Sequence, residues 1–436
     1  MKRILVILLV FMAASALLFA SGKQEKATGE GSFEGMELVI MSAGDGSKEF
    51  RIISPWLPEF EKRYGVKVNW NEMSIGNLHT RLATLFAAQS PEADIVWTGH
   101  KFTAEFAAAG GLLDVTDRLP QDLIGDLTAA KGAVTYNDRI YGVPKFGSNR
   151  FFYHNKILFR DAGLDPDKAP VAWDEFVDFA EKTTKGDSQW GFLPTGAGDG
   201  DNAVMDYQLF YYMAGGDSLF DQNDRPTFNS ATGIDALEKY AELYDLGVID
   251  PASWTIDSGT DRRGRWMAGQ TAMVSEWPSL WKQANDPGGP SKVIGEVGIS
   301  TGPKIKRPAG LSGDEAYAVS AYSKRKDLAL EFLKFLGSEE VQKDICLRTG
   351  WLPVRQAVLN DPEVQNNEDI KPMIDAAIKM GEVGYLNRFS ARYSTEVENE
   401  ALGVAIIQVV KNEKSASEAL AWAEEKCEDI VAKYKR

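Results

Sequence analysis

The stretch Ile140–Phe176, IYGVPKFGSNRFFYHNKILFRDAGLDPDKAPVAWDEF, reads as a strand entering a new folding unit. Gly142 and Pro144 punctuate its start, and Phe151, Phe152 and Tyr153 form an apolar-aromatic core run. Asn155 follows with a side-chain oxygen suited to accept from the first free N–H groups of a helix. It is expected to cap a short helix that holds Ile157, Leu158 and Phe159. After a loop, Pro170 and Trp173-Asp174-Glu175-Phe176 open a second, longer helix.

Upstream of this stretch, strand and helix signals alternate. Leu38–Met41 is a short buried strand. Glu49–Tyr64 carries Phe50, Ile53, Leu57, Phe60 and Tyr64 at helical spacing and stops at Gly65. Val66–Trp70 alternates as a strand does, and Asn77–Ala88 returns to helix with Leu78, Leu82, Leu85 and Phe86 on one side. Ala93–Trp97 is again strand, and Phe102–Ala109 is a helix closed by Gly110-Gly111. The βαβαβα order predicts a mostly parallel sheet with helices on both faces. In such sheets ligands sit at the carboxyl ends of the strands. Those ends are the loops Ser42–Lys48 and Thr98–Lys101. The first loop, SAGDGSK, runs into a helix start and offers backbone N–H groups there. Its glycines match neither GxGxxG nor GxxxxGK[ST], so a phosphate cradle has no motif behind it.

Downstream, the chain is rich in helix signals and aromatics, including YQLFYYM at Tyr207–Met213 and an amphipathic helix at Ala231–Leu246. A strand at Thr271–Val274 leads into SEWPSLW, Ser275–Trp281. Gly298–Pro303 reads as a second crossing, Gly313–Ser320 as a strand and Asp327–Leu336 as a helix, and the chain from Glu339 onward is nearly all helical.

The first residues set the compartment. Lys2 and Arg3 precede an apolar run from Ile4 to Ala20, and Ala20-Ser21-Gly22 supplies the small-residue exit of a secretory signal peptide. The competing reading is an uncleaved anchor, since the run is near the length that spans a bilayer. No cysteine stands at the exit, which argues against lipidation. Residues 23–35 are Gly-, Ser- and charge-rich and read as a flexible tether. About 400 residues remain, more than one compact core usually holds, so two lobes are expected. The net charge of −15 and the lack of a basic patch with interleaved aromatics exclude nucleic acid as an expected partner. Two cysteines, Cys346 and Cys427, allow one disulfide in an exported chain or two separate buried thiols.

Four stretches taken in order give the chain a family likeness. They are Phe60–Trp70 (FEKRYGVKVNW), Asp94–Asp117 (DIVWTGHKFTAEFAAAGGLLDVTD), the opening stretch, and Gly313–Gln342 followed by Gly350-Trp351-Leu352-Pro353. Together, behind a signal peptide, they resemble the family 1 extracellular solute-binding proteins, the maltose-binding-protein-like receptors of ABC importers. The resemblance implies an α/β fold of two lobes, each a mainly parallel sheet flanked by helices, with the ligand cleft between them. It implies crossings near Lys145–Phe152 and Gly298–Pro303. Lobe one then takes 36–146 plus 301–338, and lobe two takes 147–300 plus 339–436. The implied function is capture of a sugar or oligosaccharide by lobe closure and delivery to ABC-transporter permease subunits. The receptor is expected to be monomeric, to need no cofactor or metal, and to act in the periplasm or another extracytoplasmic space.

Sugar receptors of this kind use aromatic rings for the apolar face of a pyranose and fixed polar groups for its hydroxyls. By position, the resemblance points to Asp45 in the first loop and to Trp97, His100 and Lys101 after the third strand. It points to Trp277 as a stacking aromatic of lobe two, to Asp314 and Glu315 (beside Gly313) on the returning strand, to Trp351 between C-terminal helices, and to Asn149 at the first crossing. Related maltose receptors carry an acid–base pair after the third strand, where this chain has His100, so a different sugar is implied. Each residue has a plainer reading. Trp97 ends a buried strand and suits a core. Asp45 between glycines suits a turn. His100 and Lys101 suit a solvated strand exit. Trp277 and Trp281 are four apart and suit a helix face, although Pro278 between them favours a loop for Trp277.

Asp199 and Asp201 in TGAGDGDN suggest calcium but lack the further ligands and downstream Glu of an EF-hand loop, so a mobile cleft-rim loop is the better reading. The three histidines are scattered, with no HExxH and no GxSxG. Carboxylates are abundant, which leaves a secreted carbohydrate-active hydrolase as the alternative function. A sensor subunit for a receptor kinase or chemoreceptor would share the fold and differ only in partner.

Overall fold

A computed structural model describes residues 33–44, 48–100, 102–196, 200–256, 258–383, 385–387 and 391–435. The expected leader at 1–22, residues 23–32 of the expected tether 23–35, Asp45, Lys101 and Asp199 lie outside the described residues. Residues 33–35 form a turn held to the first lobe. The Gly35 N–H donates to the Gly65 carbonyl at 2.8 Å, and the Phe33 ring sits 6.2 Å from that of Tyr64.

The strands of the two main sheets, in chain order, are β1 (Glu37–Ala43), β2 (Lys67–Met73), β3 (Ile95–Gly99), β4 (Gly142–Pro144), β5 (Phe151–Asn155), β6 (Trp190–Leu193), β7 (Thr271–Glu276), β8 (Val297–Ser300) and β9 (Glu315–Val319). The first sheet runs β2-β1-β3-β9-β4 and the second β8-β5-β7-β6. In the first, β1 pairs in parallel with β2 and β3, as helix-linked strands must. The pairing changes where the chain has crossed between sheets. β9 returns from the second lobe and lies antiparallel to both β3 and β4, with Tyr317 opposite Trp97 on one side and Val143 on the other. In the second sheet only β6–β7 is parallel. β5, arriving through the crossing, is antiparallel to β7 and β8. Both sheets are thus mixed, and the mainly parallel pairing expected from the helix–strand order holds among β1, β2 and β3.

Burial follows the side-chain period. Leu38, Ile40, Ile95, Phe60, Leu78, Leu82 and Phe332 share the first core. On β5, Phe152 joins a second core with Phe159, Phe176, Phe192, Phe210 and Tyr240, while Phe151 and Tyr153 join a third with Trp266, Val274 and Met373. A strand with covered faces on both sides has no polar alternation, which is why FFY reads as an unbroken apolar run.

Local chemistry sets the ends. The Asn155 side chain accepts from the Ile157 and Leu158 N–H groups at 3.0 and 3.4 Å and caps the helix Lys156–Asp161. The helix expected over Glu49–Tyr64 is instead Lys48–Ile53, a 3₁₀ turn at Ser54–Trp56, and Leu57–Tyr64. Pro55 and Pro58 carry no N–H and sit at the two junctions. Gly65 closes the last segment with φ 68°, the left-handed region that a glycine enters without a side-chain clash.

The helix Glu339–Thr349 joins regions: Val341 and Ile345 pack in the first core, and Cys346 in the third. Cys346 and Cys427 are free, buried thiols in different cores. Burial pushes both up to about 12. Among the described residues no helix is long and apolar enough to cross a membrane.

Candidate ligand-binding cleft

Two chain segments run side by side between the main sheets. The Lys145 N–H donates to the Glu315 carbonyl at 3.0 Å, Gly313 N–H to Ser148 at 3.1 Å, and Arg150 N–H to Leu311 at 2.9 Å. Asn149 and Ser312 form an antiparallel bridge. The Asp314 carboxylate fastens the two segments. Its Oδ1 accepts from the Ser148 N–H at 2.6 Å and from the Ser148 hydroxyl at 3.3 Å, and its Oδ2 accepts from the Ser312 hydroxyl. Asp314 is buried, which pushes its carboxyl up to about 6 against the opposing pull of the Ser312 and Ser148 donors.

Beside this crossing lies a cleft of about 700 Å³. One wall carries Ala43, Gly44, Arg51, Ile52, Ser74, Ile75, Trp97 and Glu315. The other carries Ser258, Gly259, Thr260, Arg263, Ser279 and Gln283, while Thr349 and Trp351, the latter packed against the first core, also line the cleft.

Strand β3 delivers Trp97 and the paired strand β9 delivers Glu315. Trp97 Nε1 donates to Glu315 Oε2 at 3.0 Å, and the same oxygen pairs with Lys145 Nζ. Lys145 is wholly buried, which pulls its pKa down against the raising effect of Glu315, whereas Glu315 keeps 27% of its side chain exposed. This carboxylate is therefore anchored from behind and presented in front. Trp351 stacks on Phe146 with centroids 4.0 Å apart and planes at 16°, so one indole face is covered while the ring lines the cleft.

The opposite wall rests on a buried charge cluster. Ser258 caps the helix Gly259–Met267 by accepting from the Asp261 N–H at 3.2 Å. That helix carries Arg262 and Arg263, which share Glu276 at the end of β7. Arg262 Nε lies 2.7 Å from Oε2, and Arg263 Nη1 lies 3.6 Å from Oε1. Burial works against the Glu276 carboxylate, but Arg262, Arg263 and Arg150 together hold it below its usual range.

The structure groups the residues singled out in the sequence into three sets. Trp97, Glu315 and Trp351 line the cleft together. Asn149 and Asp314 line a smaller cavity of about 90 Å³ with Gly147 and Leu352. His100 is buried beside the crossing, its N–H donating to the Asp314 carbonyl at 3.1 Å. Trp277 is partly buried, with the Arg150 guanidinium 5.2 Å from its ring centroid. A methyl group on Gly313 would fall 2.7 Å from the Trp277 ring edge, which makes that glycine a close-approach position. Asp45 and Lys101 lie outside the described residues. Asp201 sits in the first turn of the helix Gly200–Met213. No group of three metal-ligating side chains occurs among the described residues.

Arg51, Ser74, Thr260, Arg263 and Gln283 were not singled out in the sequence. Their sequence signal is weak, because they sit at helix starts and faces where a polar residue is ordinarily a solvated one. The adjacent Arg262-Arg263, on a helix leading into the strand that ends at Glu276, was the one available hint.

The sequence matches the family described as bacterial extracellular solute-binding protein over residues 44–343. The chain belongs to that family. Among curated relatives, a probable amino-acid ABC transporter periplasmic-binding protein of Sinorhizobium fredii is 26% identical over 65% of this chain and 63% of its own length. The chain thus spans less than two thirds of that relative. The diacetylchitobiose-binding protein DasA of Streptomyces coelicolor is 26% identical over 76% of both chains. A galactooligosaccharide-binding protein of Bacillus subtilis is 24% identical over 82% of this chain and 83% of its own length. The maltose-bound MalE3 of T. maritima superposes with a TM-score of 0.79 at 24% identity, covering 91% of this chain and 100% of that one. That superposition establishes the two-lobe fold.

The cleft combines an aromatic ring, charged groups and small polar side chains in one concavity. It is concave, and it has a carboxylate backed by Lys145 and Trp97 and a guanidinium, Arg263, beside the buried Glu276. It has an aromatic ring packed from behind, and its walls come from elements joined through paired crossing segments.

Proposed function

We propose that this solute-binding protein captures a sugar or oligosaccharide between its lobes and hands it to the permease of an ABC importer. The observation that carries the reading is the pairing, in one cleft, of the backed indole of Trp351 with the anchored carboxylate of Glu315. The indole offers a flat apolar surface to the C–H face of a pyranose. The carboxylate accepts from adjacent hydroxyls without further desolvation of a free charge. Trp97 contributes from the wall behind, and Ser74, Thr260, Gln283 and Ser279 add hydroxyl and amide groups. Asp45 and Lys101 complete the proposed ligand set. Asn149, Asp314, His100 and Trp277 act at the crossing, where they set how the lobes meet.

The mechanism is a population shift. A ligand that touches both walls favours the closed arrangement by the contacts it gains there. Residues 36–146 plus 301–338 and 147–300 plus 339–436 are the proposed moving units, the receptor works as a monomer, and the ligand leaves chemically unchanged. The diacetylchitobiose and galactooligosaccharide named for two relatives support a saccharide, and the amino acid named for another is the competing ligand.

Titration calorimetry of the protein against neutral mono- and oligosaccharides, polyols and amino acids tests this, with chromatography of the recovered ligand. A saturable signal with a saccharide and full recovery of that saccharide is expected. Binding confined to amino acids, or cleavage of a glycoside, overturns the proposal.

A further inference from the structure

We propose that a groove beside the second sheet binds an extended acidic segment of a partner protein, which adds as a strand to the open edge of β8. The groove holds about 650 Å³ and shares no described lining residue with the ligand cleft. The inference is independent of the solute that the cleft captures.

The backbone of β8 supplies the first observation. β8 is the terminal strand of its sheet, with β5 as its neighbour. The Lys156 N–H donates to the Glu296 carbonyl at 2.9 Å, and Gly298 and Ser300 stand opposite His154 and Phe152. Along such a strand the backbone groups of successive residues face alternate sides. The Ile299 N–H and C=O are therefore turned away from β5, and among the described residues neither has a hydrogen-bond partner. Ile299, Ser300, Thr301 and Gly302 line the groove. A donor and an acceptor on an open edge are what an added strand pairs with.

The walls supply the second. Pro372, Asp375, Lys379 and Val383 follow one another at helical spacing and form a stripe of the helix Lys371–Val383 along the groove. Pro170 and Val171 also line it, and the Lys304 N–H fixes them by donating to the Val171 carbonyl at 2.9 Å. Val171 is 59% exposed. With Ile299, Pro308 and Val383 it offers apolar contact to the alternate side chains of a strand, which point to opposite faces.

Charge selects the occupant. The charged side chains of the described lining are Asp167, Lys168, Lys304, Asp375 and Lys379. Asp167 pairs with Lys156, Lys168 with Glu175, and Asp375 with Lys371. Among the described residues Lys304 and Lys379 have no ion-pair partner. Glu382 is not part of the lining, and the sequence after Val383, GYLNRFS, contains no carboxylate. Two ammonium groups are thus left for acids on an incoming segment. A second copy paired edge to edge would bring its own Lys304 and Lys379 to the same place, and like charges brought opposite are unfavourable. The chain's net charge of −15 opposes an acidic partner at long range. That repulsion acts through solvent and fades within about 10 Å at 0.1 M salt, whereas the lysines act in contact.

An array of end-blocked hexapeptides decides it. Peptides with Glu or Asp at alternate positions and Val, Ile, Leu, Phe or Tyr between them are compared with the same peptides bearing Lys, and the best acidic binder is then measured by fluorescence anisotropy. The acidic peptides are expected to bind at least about tenfold more tightly than their lysine counterparts. N-methylation of one set of alternate backbone nitrogens is expected to abolish binding, and of the other set to leave it, because one edge of the added strand pairs with β8. Lys304→Glu combined with Lys379→Glu, both at exposed positions, is expected to weaken the acidic peptide about tenfold or more and to leave saccharide affinity and the unfolding midpoint unchanged. Equal binding of the lysine peptides, or no binder up to about 1 mM, overturns the proposal. Acidic binding that the double substitution leaves intact overturns the site, and binding that tolerates N-methylation of both sets overturns strand addition. Self-association that the peptide does not disturb, seen by sedimentation and changed by the double substitution, makes a second copy the occupant and overturns the acidic partner.

Discussion

Asp314 and Glu315 are adjacent in sequence and serve different regions of the molecule. Asp314 belongs to the crossing, where its carboxylate is sealed in and receives Ser148 and Ser312. Glu315 opens β9, pairs opposite Gly99, and brings its carboxylate to the cleft with Trp97 and Lys145 behind it. The extended backbone sends neighbours to opposite sides, so two acids that look like one motif are divided by a period of two. At the crossing the Asp314 carboxylate is satisfied by the protein itself. In the cleft, part of the polar surface is left for a partner.

The largest expected effect breaks the support behind the cleft. Glu276→Gln removes the carboxylate that Arg262 and Arg263 share and leaves both guanidinium groups in a buried site. A loss of roughly 3–5 kcal/mol of stability is expected, the cost of removing one partner of a buried pair. Urea denaturation measures it, and a loss under about 1 kcal/mol would show that the wall does not depend on this acid.

The next effect sharpens the crossing side. The Asp314 carboxyl stands at about 6 in the folded protein against 3.8 ordinarily. Between these values the folded state holds a proton that the unfolded chain has released. The stabilisation is therefore complete below about pH 4 and is lost as pH rises through about 6, by roughly 3 kcal/mol. Asp314→Asn keeps an oxygen to accept from the Ser148 N–H and removes the titration. The variant should gain stability relative to the parent between pH 4 and 7. Parallel stability–pH curves for the two proteins would rule out Asp314 as the titrating group.

On the cleft side, Trp351→Ala should weaken saccharide binding by about 1–3 kcal/mol, the scale of a truncated aromatic contact. The same change at Trp277, whose ring packs over Arg150 and against Gly313, should act more on stability than on affinity. Calorimetry and denaturation of both variants separate the two roles, and equal affinity losses would place both rings against the ligand.

Much of this architecture is legible in the sequence. The period in β1 and β3, the glycine stop at Gly65 and the cap at Asn155 are local signals, and local chemistry carries them out. The strand at FFY was legible from its punctuation and its apolar run, whereas its place next to a crossing came from the family likeness. The break at Pro55 and Pro58 is hidden in the sequence by an apolar spacing that continues across both prolines. The antiparallel return of β9 was missed because strand direction after a crossing is a property of the whole chain path. Of the residues named from the family likeness, Trp97, Glu315 and Trp351 line the cleft, and Asn149 and Asp314 line the smaller cavity instead. Arg51 and Arg263 gave no such signal, since a surface arginine and a cleft arginine look alike until buried partners such as Glu276 are placed.

The smallest expected effect concerns the interior away from both regions. Cys346 lies in the third core beside the helices that flank the cleft, and Cys427 lies in the second core on the C-terminal helix Ala416–Tyr434. Both thiols are pushed up to about 12 by burial, so the thiolate that attacks an alkylating reagent is scarce at neutral pH. A disulfide between them would require the two cores to open. Native protein should therefore show both thiols unreacted towards iodoacetamide over hours, and an unfolding midpoint that reductant leaves unchanged. Labelling at Cys346 alone, suppressed by saccharide, would instead show that the region beside the cleft opens on its own while the second core stays shut. In that case the closed interior assumed for the crossing side of the comparison would not extend to the helix Glu339–Thr349.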